Sequence, residues 1–227
     1  MLKNAIHFLS WGMLALGATG GFWLFGLASE TFPLERILQF SQQRHGASAT
    51  AVARDWGNAL SVFRSGSEQQ KLKDINEYFN RKLRFVDDQA NWGQNDYWAT
   101  PIESLLRNAG DCEDYSIAKY VSLKFLGVPV EKLRITYVRA RIGGAGSTIN
   151  QAHMVLTYYA SPDAEPLVLD NLVGEIRPAS RRPDLQPVFS FNSEGVYGAS
   201  GEPQPGGSSR LSRWNDLVAK MKAEGID

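Results

Sequence analysis

The stretch Asn108-Ala109-Gly110-Asp111-Cys112-Glu113-Asp114-Tyr115 joins a helix stop to a helix start, and it holds the only cysteine of the chain. Asn108-Ala109-Gly110 closes a short helix that Pro101 opens and that Ile102, Leu105 and Leu106 line. Asp111 is a natural N-cap residue, so Cys112 is expected as the first residue of a helix running to about Leu126. Gly127-Val128-Pro129 then ends that helix. Backbone dipoles aligned along a helix favour negative charge at its N-terminus, which favours a thiolate there. The small Gly110 leaves room for a close approach by other chain. On this feature alone, a buried structural thiol is the alternative description.

Working outward, the hydrophobic period on the N-terminal side is helical. Val52, Trp56, Leu60 and Phe63 mark a helix over 48–63, which Ser65-Gly66-Ser67 breaks. Leu72, Ile75, Phe79 and Leu83 mark another over 69–86. Residues 87–100 form a polar loop rich in aromatics, including Trp92, Tyr97 and Trp98. On the C-terminal side the period changes to two. Leu133, Ile135 and Tyr137 alternate in one strand, and Ala152, Met154, Leu156 and Tyr158 in the next. Gly143-Gly144-Ala145-Gly146 turns between them, Ser161-Pro162-Asp163 turns again, and a short strand follows over 167–170. Residues 188–191 add an expected edge strand. Turns this short leave no room for crossover helices, so the strands form an antiparallel sheet. Helices followed by such a sheet make an α+β domain.

The chain has 227 residues, of which 43% are hydrophobic and 21% charged, enough apolar surface to build a core rather than remain disordered. Lys plus Arg and Asp plus Glu both number 24, so there is no basic field of the kind that binds nucleic acid. One cysteine excludes an internal disulfide and a cysteine-based zinc cage. Lys3 precedes an uncharged run over 4–29 that is strongly apolar from Phe8 to Ala28. This reads as a secretory signal cut after Gly26-Leu27-Ala28, or as a retained anchor, since about 20 apolar residues span a bilayer. The expected organisation is therefore 1–29 as signal peptide or anchor, 30–197 as the folded domain, and 198–227 as a Pro/Gly/Ser-rich linker with a short terminal helix. Leu211, Trp214, Leu217, Val218 and Met221 share one face of that helix, which is expected to dock on the body.

Besides His7, the chain has two histidines, His45 and His153. His45, beside Arg44 and Gln43, reads as a solvated helix end. His153 lies on the second long strand, with parity opposite to Met154 and Leu156, so its ring can face a cleft. Asp170 ends the next strand, and adjacent antiparallel strands can set a carboxylate beside an imidazole. A carboxylate on one ring nitrogen orients the imidazole and leaves the other nitrogen for a thiol.

The order Cys112, His153, Asp170 resembles the transglutaminase-like branch of papain-type folds. The fuller set (Trp92, Tyr97, Trp98, Pro101, Gly110 to Tyr115, Ala152-His153-Met154-Val155-Leu156 and Leu169-Asp170-Asn171) is similar to the bacterial transglutaminase-like cysteine proteinases, including the LapG-type periplasmic proteases. The similarity covers roughly Phe40 to Tyr197. It implies a papain/transglutaminase-like fold in which N-terminal helices, with the catalytic cysteine at a helix start, pack on the antiparallel sheet. It implies Cys112, His153 and Asp170 as catalytic residues. The implied activity is cleavage of a large cell-surface adhesin near its N-terminus, within an Ala-Ala-containing sequence, which releases the adhesin and disperses biofilm. The implied partners are that adhesin and an inner-membrane receptor that senses cyclic di-GMP and sequesters the protease through its periplasmic domain. The implied location is the periplasm, with the membrane touched only through the N-terminal segment.

The resemblance also implies Ca2+, held by Asp111, Glu113 and Asp114. By spacing alone these are a cap and two acids of a first helical turn. Three carboxylates beside a thiol nevertheless disfavour the thiolate, and a hard cation would neutralise them. Asp88 or Asp96 could add ligands. The Cys112 N–H is the obvious oxyanion donor, with the Trp98 indole as a second by analogy with transglutaminases. Trp92, Tyr97 and Trp98 are expected to wall a narrow cleft. The same residues could transfer the acyl group to an amine instead of water, or serve a non-catalytic, calcium-dependent peptide-binding module.

Overall fold

A computed structural model describes residues 32–144 and 146–226. The apolar run expected as signal or anchor lies outside the described residues. Among the described residues no helix is long and apolar enough to cross a membrane.

Local chemistry sets the helices of the first half. Helices α1 (Leu34–His45) and α2 (Ala47–Phe63) are separated by Gly46 alone, whose φ of 79° suits a residue without a Cβ. The α3 helix (Glu68–Lys82) starts at Ser67, whose side chain accepts the Gln70 N–H. Inside the polar 87–100 loop a short α4 (Asp88–Trp92) forms, capped by Asp87 accepting the Ala90 N–H. Thr100 and Glu103 make a reciprocal capping box around Pro101 at the start of α5 (Pro101–Arg107). Two short parallel strands, β1 (Arg84–Phe85) and β2 (Ala109–Gly110), tie the end of α3 to the start of α6 (Cys112–Phe125).

The second half is a six-stranded antiparallel sheet of order β6-β5-β4-β3-β7-β8. Its strands are β3 (Leu133–Arg141), β4 (Asn150–Tyr158), β5 (Leu167–Leu169), β6 (Arg177–Pro178), β7 (Leu185–Phe191) and β8 (Val196–Gly198). The fold is thus α+β, as expected. The strand expected at an edge, β7, instead lies inside, paired to β3 on one side and β8 on the other.

The α6 helix lies between the sheet and the other helices, so it is buried on nearly every side. Ile117 and Leu123 of α6 join Trp56, Leu60 and Phe79 from the helices and Ile135, Leu156 and Leu169 from the sheet in one core. The terminal helix α7 (Ser212–Ala223) docks into the same core through Trp214, Leu217 and Met221. The Trp214 ring meets Phe191 at 5.4 Å and Tyr120 at 5.8 Å.

Candidate active site

Cys112 begins α6, next to the β1–β2 pair. Asp111 occupies the N-cap position, but its side chain makes no capping hydrogen bond and turns towards other acids. The close approach at Gly110 comes from α6 itself. A Cβ on Gly110 would meet Asp114 Cβ and Oδ2, each at 2.7 Å. That contact seats Asp114 under the loop, where its Oδ1 accepts the Ala99 N–H at 2.8 Å.

The Cys112 thiol donates to Glu113 Oε2 at 3.1 Å. Burial pushes its pKa up strongly, and the charge and hydrogen bond of Glu113 push in the same direction. The Met154 backbone N–H opposes this, which also places β4 at the sulfur. Without a counter-charge, then, this surrounding holds the thiol protonated.

His153 is buried, and its Nε2 lies 2.8 Å from Asp170 Oδ1. Burial would raise the Asp170 pKa, but the His153 hydrogen bond and charge, the Leu172 N–H and Arg182 outweigh it and hold it at about 2. An ionised Asp170 can only accept, so the His153 proton sits on Nε2 and Nδ1 is left as a base. Arg182 donates to Asp170 Oδ2 at 2.7 Å and also grips Asp184. No motif marks Arg182 in the sequence, because it follows a short 3₁₀ turn (Ala179–Arg181) after β6 and reaches Asp170 only through the fold. Parity is as expected: Met154 and Leu156 enter the main core, whereas Val155 packs with Val138 and Val168 in a separate small cluster.

Cys112 and His153 line one cleft of about 700 Å³, along with Trp98, Tyr137, Phe85 and Phe189. Of the three aromatics expected as walls, Trp98 lines the cleft and stacks on Phe191 at 5.7 Å. Trp92 and Tyr97 instead pack on each other at 4.6 Å, and the Tyr97 hydroxyl donates to Glu103. The Trp98 indole N–H is directed to the Asp96 carboxylate.

Beside the sulfur, Asp88, Asp111 and Glu113 each bring a carboxylate oxygen within 4.8 Å of the others. Of the two loop acids that could add ligands, Asp88 is the one in this trio. Asp114 stands outside this trio, bound to Ala99. Asp88 Oδ1, Asp111 Oδ1 and Asp96 Oδ1 are buried without a hydrogen-bond partner among the described residues. Burial, then Glu113, pushes Asp111 up to about 10. Burial also pushes Asp88 up to about 6, although the Tyr97 N–H works against it. Crowded carboxylates with orphaned oxygens are the donor set of a hard, oxygen-seeking cation, and the trio fits one.

The model of the bacterial transglutaminase-like cysteine proteinase family matches residues 41–183. No curated protein matches the chain significantly. Among solved structures, Legionella pneumophila LapG is similar at 37% identity, with a TM-score of 0.70, over 84% of this chain and 98% of that one. Its EGTA-treated form gives 37% and 0.72 over 84% and 98%. The calcium-bound form gives 36% and 0.70 over 84% and 99%. With more than half its length matched by the family model and a solved relative above 30% identity, this chain belongs to the bacterial transglutaminase-like cysteine proteinases.

Proposed function

We propose that the protein is a calcium-dependent cysteine endopeptidase of the periplasm that cuts the N-terminal region of a large surface adhesin. One observation carries this reading: Cys112 and His153 line one cleft, and Asp170 holds His153 so that Nδ1 is its free base. His153 takes the Cys112 proton, and Asp170 steadies the resulting imidazolium. The thiolate attacks the peptide carbonyl while the Cys112 N–H, at the start of α6, faces the developing oxyanion. His153 then protonates the leaving amine, and water hydrolyses the thioester. Asp88, Asp111 and Glu113 would hold the calcium ion, which supplies the positive charge that lets a thiol among carboxylates ionise. The calcium-bound LapG structure supports that ion as the cation.

Release of the adhesin would disperse biofilm, and a cyclic di-GMP receptor with a periplasmic inhibitory domain would restrain the enzyme. The test incubates residues 30–227 with the N-terminal segment of a large adhesin, with calcium or with chelator, on a denaturing gel. Two defined fragments in calcium alone are expected, and none from Cys112→Ala. An intact substrate in both lanes sinks the reading, and a product heavier than the substrate would support acyl transfer to an amine.

A further inference from the structure

The loop segment from Asp96 to Ala99 is gripped from two sides in alternation. Its N–H groups point to the acids near Cys112: Tyr97 N–H donates to Asp88 Oδ2, and Ala99 N–H donates to Asp114 Oδ1. Its carbonyls point to α7: Asp96 O accepts from Arg213 Nη1 at 2.8 Å, and Trp98 O accepts from Lys220 Nζ. The α7 side chains reach further. Arg213 Nη2 pairs with Asp96 Oδ2 at 2.8 Å, on the carboxylate to which the Trp98 indole is directed. Lys220 Nζ sits 3.8 Å from the centroid of the Tyr97 ring and 3.5 Å from Glu103 Oε2. α7 is anchored through Trp214 and Leu217, which are buried in the core. Trp214 also touches Phe191, the ring on which Trp98 stacks. Arg213 and the residues just before it line the same cleft as Cys112. All of α7 lies beyond the 41–183 segment matched by the family model.

We infer that α7 is a working part of the active site, with Arg213 and Lys220 as positioning residues that set Asp96 and Trp98 in the cleft wall. Two ties are made to main-chain carbonyls, so they fix the path of the segment and not only a rotamer. A substrate chain entering the cleft then meets Trp98 at a fixed position relative to Cys112. The inference rests on the endopeptidase reading for its kinetic consequence, but not for its structural one.

The test uses the purified protein with Lys220→Met, Arg213→Met and Lys220→Arg. Each methionine variant is expected to lower kcat about tenfold while KM moves less than threefold, because the wall is displaced at the reacting bond. Lys220→Arg, which restores a donor and a charge, is expected to return kcat to within threefold of wild type. The indole N–H resonance of Trp98, assigned by Trp98→Phe, is expected to shift in both methionine variants. Wild-type kcat in both, with an unmoved Trp98 resonance, overturns the inference. So does a loss that tracks the melting temperature and is not rescued by Lys220→Arg. If wild-type protein cleaves nothing, the endopeptidase reading fails, and the Trp98 resonance alone still decides whether α7 sets the wall.

Discussion

At Asp88 one carboxylate oxygen accepts the Tyr97 N–H, while the other is buried with no partner among the described residues. The charge on Asp88 is a cost unless a cation shares it. Its pKa is pushed up to about 6 by burial, opposed by the Tyr97 bond and reinforced by Glu113. An unfolded Asp titrates at about 3.9. The folded acid therefore binds its proton more tightly, and stability falls as pH rises through the window from about 4 to about 6. Asp88→Asn keeps an acceptor for Tyr97 and deletes the charge. Two results are expected. Calorimetric calcium affinity falls at least about tenfold, which is about 1.4 kcal/mol. In chelator at pH 7, the variant unfolds with a free energy about 1–2 kcal/mol above wild type. A variant that binds calcium as wild type does, and gains nothing in chelator, removes Asp88 from the site.

The helix that carries Cys112 depends on how closely it can approach the strand before it. Gly110 ends β2, and a Cβ there would meet two Asp114 atoms at 2.7 Å. Neither atom is the end of a long flexible side chain, so something must move. Gly110→Ala is expected to lower stability by about 1–3 kcal/mol and to push Asp114 off the Ala99 N–H. Thermal melting should show a drop of several degrees, with slower peptide cleavage at saturating calcium. An alanine variant that melts and cleaves as wild type does would mean that the contact is loose. Elements of this kind were unevenly legible in the sequence. The helices α2 and α3 and the strands β3 and β4 show through their periods, because each buries a long apolar face, whereas α6, buried on nearly every side, shows through its Asp111 start and its Gly127-Val128-Pro129 stop. The first helix has only Ile37, Leu38 and Ser41 buried, too weak a stripe to mark it. The two-residue strands β1 and β2 are too short for any period. The interior place of β7 depends on pairing with β3 across a long sequence distance, which local alternation does not encode. The site follows the same rule. Cys112, His153 and Asp170 stand at the ends or on the faces of legible elements. Asp88 and Arg182 reach the site from a loop helix and from the residue after a 3₁₀ turn, where spacing carries no direction.

Across the whole molecule, one helix stands between two layers, and that placement has an electrostatic consequence at Lys119. This residue of α6 is 1% exposed, and its Nζ has no hydrogen-bond partner among the described residues. The Tyr115 ring lies 5.7 Å away, and Asp170 supplies the one attraction that raises its pKa. Burial wins, and the ammonium titrates at about 7. In the unfolded chain it titrates at about 10.4. Between those values the unfolded chain holds a proton that the folded protein has released, so the contribution of Lys119 to stability rises with pH across that window. Below pH 7 both states are protonated and the full cost of the buried charge is present. Net stability of a single-core domain is only about 5–15 kcal/mol, so this one residue weighs heavily. Lys119→Met keeps the volume of the stem and removes the charge. It is expected to stabilise the protein by about 2–4 kcal/mol at pH 6, with that advantage over wild type shrinking between pH 7 and 9, where the raised pKa of Asp111 acts equally on both proteins. Urea unfolding at pH 6, 7, 8 and 9 measures both. An advantage that does not shrink over that range, or a methionine variant less stable at pH 6, would show that the charged amine is satisfied inside the core.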